Sequence, residues 1–258
     1  MCHKFLLTLV ASVTLTACVT SPTGRSQLMM VPDNQLNQMG VQSFTKLKQK
    51  TPISRNTNYT QFVNCIATPI TQLVGGGQWE IVVFENKELN AFALPGNKIG
   101  VYTGLVKMVD NQDQLAAVIG HEIGHVLAKH SNERMSTETV AKQAASIAGF
   151  VAGMGNLGMT ALGLGVEYGL LLPYSRTQES EADVIGLDLM AKVGFNPKQS
   201  INLWQKMAQA SGGQTPPELM STHPADSTRM TDLNKNMPKA WQLYQQAQSA
   251  GKHPNCRK

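Results

Sequence analysis

Aromatic residues make up only 6% of this 258-residue chain, and charged residues only 15%. With 42% hydrophobic residues, so low a charge excludes a disordered polymer. Long apolar runs are lacking apart from one late stretch, which excludes a polytopic membrane protein. Basic residues outnumber acidic ones by 22 to 17, yet they lie scattered. The dense basic stripe of a nucleic-acid binder is absent, so no nucleic-acid partner is expected. No unit of about 20–50 residues recurs, which excludes an appended repeat domain. Cysteine is scarce, at four residues, while Gly (22) and Met (13) are plentiful. That balance fits a helix-rich fold with close helix contacts and some pliable surface.

The N-terminus supplies an address. Lys4 precedes an apolar segment from Phe5 to Leu15 that is too short to span a bilayer but suits a secretory signal. Leu15-Thr16-Ala17-Cys18 resembles the lipobox of bacterial lipoproteins. Residues 1–17 are therefore expected to be a signal peptide, with Cys18 the lipidated first mature residue and residues 18–31 a polar tether. Val19 follows the cysteine in place of an inner-membrane-retaining Asp, so the expected site is the outer membrane, facing the periplasm. Cys65 and Cys256 then remain, and in an oxidising compartment they could bond, pinning the C-terminal tail to an early helix, or stay as independent thiols.

Along the chain, apolar spacing predicts helices over 32–50 and 60–73. Three short strands follow: Trp79–Phe84, Ala91–Leu94 and Ile99–Tyr102, the last pair joined at Pro95-Gly96-Asn97. After Thr103 the pattern is helical almost to the end. The expected fold is α+β and mostly helical, with a small sheet of three strands ahead of a metal-binding helix.

That helix, expected over 111–129, carries His121-Glu122-Ile123-Gly124-His125, an HExxH motif. Two imidazoles at i and i+4 share one helix face, so both can reach one zinc ion. Glu122 lies beside them and can take a proton from an attacking water as general base. The HExxHxxGxxH extension is missing, because Ala128 and Ser131 stand where its Gly and His belong. His130, at i+5 from His125 on a continued helix, is expected on the surface. A third ligand must come from a downstream carboxylate: Glu133, Glu138, Glu167, Glu179 or Glu181. Glu179 and Asp183 share a helix face, which favours Glu179 as ligand and Asp183 as the group that hydrogen-bonds a ligating histidine. Glu181 falls on another face. A helix N-terminus favoured by negative charge would explain this acidic run equally simply.

The order of HEIGH, the Glu179-Ser180-Glu181-Ala182-Asp183 helix and Thr222-His223-Pro224 with Arg229 resembles the HtpX-like, CAAX-prenyl-protease-like gluzincin family of zinc peptidases. That family takes in BepA, LoiP and the mitochondrial Oma proteases. The resemblance covers about residues 25–235, and the chain is similar to its short lipoprotein members. It implies one zinc per chain on His121, His125 and Glu179, with Glu122 as base. It implies that Ala91, Phe92, Ala93 and Leu94 form an edge strand pairing with an extended polypeptide substrate. It also implies that His223 and Arg229 stand near the zinc, stabilising an oxyanion, with the histidine capping the metal in a resting state in some relatives. For His223 an ordinary helix entry before Pro224 remains open.

Residues 32–258 are thus expected to be one zinc metallopeptidase domain. The implied substrates are misfolded or misassembled outer-membrane proteins, with membrane contact through the lipid and outer-membrane assembly machinery as a partner. An alternative is a non-catalytic chaperone or assembly factor keeping the fold, against which Glu122 stands. Ser146–Val166 carries no charge and six glycines. It is expected to be a helical hairpin over the site, acting as a lid, a membrane-dipping element or plain core.

Overall fold

A computed structural model describes residues 18–151, 174–210, 219, 221, 223 and 227–258. The stretch expected as a tether is folded at its start: β1 (Cys18–Thr20) and β2 (Ser26–Leu28) form an antiparallel hairpin, Cys18 opposite Leu28. Ser21 and Gln27 are buried in it, and Gln27 donates to the Ala128 carbonyl at 2.8 Å. Polar composition suggested a solvated strand of chain; these polar groups instead find partners inside the domain.

Helix α1 (Asp33–Lys50) buries Leu36, Gly40 and Phe44, one residue per turn on one stripe. Helix α2 (Thr57–Val74) starts where the Asn56 side chain accepts from the Tyr59 N–H, and it buries Phe62, Val63, Ile66, Ala67 and Ile70. The chain then enters a sheet of β3 (Glu80–Phe84), β4 (Ala91–Leu94) and β5 (Lys98–Tyr102), in the order β3-β5-β4. β3 runs parallel to β5, and β4 antiparallel to it through a turn in which Gly96 and Asn97 take positive φ. β4 is an edge strand among the described residues.

Side chains of β4 alternate between two cores. Ala91 and Ala93 join the larger cluster beneath the helices, and Phe92 and Leu94 join Leu36, Phe44, Phe84 and Tyr102 on the other face. The rings of Phe44, Phe84, Phe92 and Tyr102 meet at centroid distances of 5.8–6.2 Å. Each buried ring contributes roughly 1.5–3 kcal/mol, enough to fix the register of so short a strand.

A short helix, α3 (Thr103–Met108), leads to α4 (Gln112–Leu127), α5 (His130–Val151), α6 (Arg176–Lys192), α7 (Lys198–Ala210) and α8 (Ser227–Ser249). Asn111 caps α4 by accepting from Asp113 and Gln114 N–H groups, and a Ser175–Gln178 capping box starts α6. α4 and α6 cross backbone to backbone. A Cβ added at Gly186 would lie 2.6 Å from the His121 nitrogen, and one at Gly124 would lie 2.8 Å from the Ala182 carbonyl. Only glycine permits that approach. Cys65 of α2 and Cys256 form a disulfide with S–S 2.00 Å, and the tail is further held where the Gln112 side chain accepts from the Cys256 N–H. Among the described residues no helix is long and apolar enough to cross a membrane. The charge-free stretch lies outside the described residues beyond Val151.

Candidate metal centre

Helix α4 sets His121 and His125 one turn apart, both buried, with their Nε2 atoms 3.0 Å apart. Two nitrogens bound to one zinc at about 2.0–2.1 Å in tetrahedral array would stand at a similar separation. From α6, across the glycine contact, Glu179 brings Oε2 to 3.3 Å from His121 Nε2 and Oε1 to 3.4 Å from His125 Nε2. His223 brings Nδ1 to 3.2 Å from His121 Nε2 and 3.0 Å from Glu179 Oε1. Donor atoms of these four residues all lie within 4.8 Å of one another. Glu179 Oε2 and Glu122 Oε1 are buried without a hydrogen-bond partner. Imidazole nitrogens and a carboxylate converging in a buried site, with carboxylate oxygens that make no good hydrogen bond, are a donor set that fits a metal.

Behind His121, Asp183 Oδ1 stands 2.8 Å from Nδ1. That contact turns the Nδ1 proton toward the carboxylate and leaves the Nε2 lone pair facing the cluster. Arg229 pairs with Asp183 through Nε and Nη2, each at 2.7 Å, reaches Glu179 Oε2 at 3.3 Å, and lies 3.5 Å over the Trp204 ring.

Electrostatics follow from burial and these pairs. Burial pushes the Glu122 carboxyl up, against the pull of His223, His121 and a backbone hydrogen bond from Ala93. Burial would raise Glu179 too, but contacts with His121, His125 and His223 hold it far below the usual carboxylate range. Burial and Arg229 push His121 down, yet Asp183 and Glu179 outweigh them and raise it to about 9. Burial drives His125 well below an ordinary histidine. Asp183, also raised by burial, is brought down overall by Arg229 and His121. A buried base whose affinity for a proton is raised, beside a pocket of nitrogen and oxygen ligands, suits hydrolysis.

The family model for peptidase family M48 matches residues 55–237. The chain belongs to peptidase family M48. Its cluster of His121, His125, Glu179 and His223 could hold the zinc that peptidases of this family use. The M48 chain is 34% identical over 182 residues to the mitochondrial metalloendopeptidase OMA1 of Saccharomyces cerevisiae, covering 68% of this chain and 52% of that one. It is 38% identical over 166 residues to OMA1 of Schizosaccharomyces pombe, covering 63% and 48%. It is 28% identical over 210 residues to the β-barrel assembly-enhancing protease of Escherichia coli K12, covering 76% and 42%. The chain thus spans about half the length of the curated relatives it matches.

The M48 structure brings Glu122, Glu179, His223, Asp183 and Arg229 together with the two histidines. Arg229 faces Asp183 and the back of His121. His130 corrects the sequence reading outright. It is fully buried, with Nδ1 2.8 Å from His125 Nδ1. The reason is a break: α4 stops at Leu127, and Lys129 takes a left-handed φ of 53°, turning His130 back onto His125. Glu181 is buried too and reaches His130 Nε2 at 3.2 Å. Glu133 binds Arg25, Gln27 and Gln178. Glu138 forms an i,i+4 pair with Lys142, and Glu167 lies outside the described residues. Tyr174, unnoticed in the sequence, stacks on His125 with centroids 3.9 Å apart, its hydroxyl 3.1 Å from Ser131. No sequence pattern announces it.

Proposed function

We propose that this chain is a zinc endopeptidase of the bacterial envelope that cleaves unfolded or misassembled outer-membrane proteins. The observation carrying it is the convergence of His121, His125 and Glu179 donor atoms beside Glu122, directly under the edge strand β4. His121, His125 and Glu179 would hold the metal. Bound there, zinc supplies a Lewis acid for the scissile carbonyl and its attacking water. Glu122 accepts the water proton and passes it to the leaving amine. Strand β4, which has one strand neighbour among the described residues, would pair on its other side with an extended substrate through backbone hydrogen bonds, which favours unfolded chains over any one sequence. His223 joins the donor cluster and stands 3.4 Å from Glu122 Oε1, which supports the reading that it caps the metal in a resting state.

The address rests on the lipobox-like sequence ending at Cys18, and the substrate class on the name of the E. coli relative. A non-catalytic assembly factor would have no use for a buried base at Glu122. The test is digestion of an unfolded and a folded outer-membrane barrel protein by the zinc-loaded chain, beside Glu122→Gln and His223→Ala. Cleavage of the unfolded form alone, abolished by Glu122→Gln and raised by His223→Ala, is expected. Cleavage untouched by Glu122→Gln would overturn the reading. Palmitate labelling lost in Cys18→Ala tests the anchor; labelling that persists would remove it.

A further inference from the structure

The two histidines of the cluster are backed unequally. His121 meets a carboxylate directly, but His125 meets a second imidazole. Its Nδ1 lies 2.8 Å from His130 Nδ1, and His130 Nε2 lies 3.2 Å from Glu181 Oε2. Glu181 in turn accepts from Thr23 Oγ1 at 2.6 Å and from Arg25 Nε at 3.0 Å. Arg25 closes the chain on Glu133, which also accepts from Gln27 and Gln178. Thr23, Arg25 and Gln27 all belong to the N-terminal hairpin.

We infer that His130 and Glu181 are positioning residues for His125, held in place by the N-terminal hairpin through Thr23 and Arg25. The inference rests on the zinc reading above.

One proton arrangement satisfies every contact. If His125 offers its Nε2 lone pair to a metal, the neutral ring carries its proton on Nδ1. His130 Nδ1 must then accept that proton's hydrogen bond, and the His130 proton sits on Nε2, facing the Glu181 carboxylate. Each N–H meets an acceptor, and the ring plane of His125 is fixed. Asp183 reaches His121 directly from α6, while Glu181, two residues earlier, is linked to His125 through His130. His130, folded back by the left-handed Lys129, makes that link. Arg25 supplies the counter-charge that keeps two carboxylates, buried Glu181 and half-buried Glu133, on the same node.

The experiment measures zinc affinity of the full chain by chelator competition, the absorption spectrum of the cobalt(II)-loaded chain, and unfolding of the zinc-free chain. His130→Leu is expected to weaken zinc binding about 10–100-fold and to shift the cobalt bands. His130→Asn should recover most of that loss, because its Oδ1 can accept where Nδ1 did. Glu181→Gln and Arg25→Met should each lose several-fold, and they carry the test if His130→Leu does not fold. Wild-type zinc affinity in folded His130→Leu or in Glu181→Gln, even with lowered stability, overturns the inference and leaves a merely structural network. So does an Asn variant no better than Leu. A wild-type chain that binds no zinc overturns the zinc reading itself, and this inference with it.

Discussion

The contact between α4 and α6 sets the distance from Glu179 to the two histidines, and Gly186→Ala tests it. The added methyl would sit 2.6 Å from the His121 nitrogen, 2.7 Å from the Gly120 carbonyl carbon and 2.8 Å from the His121 Cα. All three are backbone atoms of α4, so no side chain can swing away. Ordinary contact begins near 3.4 Å, and the helices must therefore part by a little under ~1 Å. Alanine gains about 1 kcal/mol over glycine from helix propensity, while forced overpacking costs about 1–3 kcal/mol. The zinc-free chain should thus lose no more than about 2 kcal/mol of stability. Metal binding should suffer more, because Glu179 and Asp183 ride on α6 and both move away from His121. A ligand displaced by ~1 Å should weaken zinc at least tenfold. Chelator competition beside thermal unfolding of the zinc-free variant separates the two effects. An unchanged zinc affinity with equal or higher stability would refute the claim that the glycine crossing holds the site's geometry.

Other outcomes follow from the same contacts. Asp183→Ala deprives Arg229 of its main buried partner and His121 of its backing; it should cost about 3–5 kcal/mol in urea unfolding and weaken zinc about 10–100-fold. Zinc binding unchanged in that variant would remove Asp183 from the site's support. The disulfide closes a loop with a sequence separation of 191, so Cys256→Ser should lose up to about 5 kcal/mol, read as a lower urea midpoint. Equal midpoints would show that the closed loop does not stabilise the fold. On acidification, Glu181 is the group to watch. Burial raises its carboxyl, but hydrogen bonds from Ser21, Thr23, His130 and Arg25 bring it down to about 2, against an ordinary 4.5. Glu133 is held low in the same way by Arg25, Gln178 and Gln27. A carboxyl lowered by folding stabilises fully above its unfolded value and loses that contribution as pH falls through its folded one. The melting temperature should therefore drop from about pH 4.5 toward pH 2, less steeply in Glu181→Gln. Parallel slopes would contradict the pairing.

Much of this was legible in sequence because it depends on local spacing. HExxH on a helix places two imidazoles on one face, and Glu179 with Asp183 share a face of the next helix, so both halves of the site could be read separately. The β-branched and aromatic run at Ile81–Phe84 and the Pro95-Gly96-Asn97 turn announced the sheet. His130 was misread because spacing assumes a continuous helix, and the break at Lys129 depends on a backbone conformation that no periodicity encodes. The hairpin of residues 18–28 was missed for a different reason. Its stabilising groups are polar, and their partners Ala128, Glu133 and Glu181 lie over a hundred residues away. Tyr174 meets His125 through tertiary packing alone.

Zinc content and peptide-bond hydrolysis, measured on the same preparations of wild type and Glu122→Gln, test the zinc-peptidase assignment most directly. One zinc per chain in both, with cleavage of an unfolded polypeptide by wild type only, is the expected result. A wild type that binds no zinc, or a Glu122→Gln chain that cleaves as well as wild type, would contradict it.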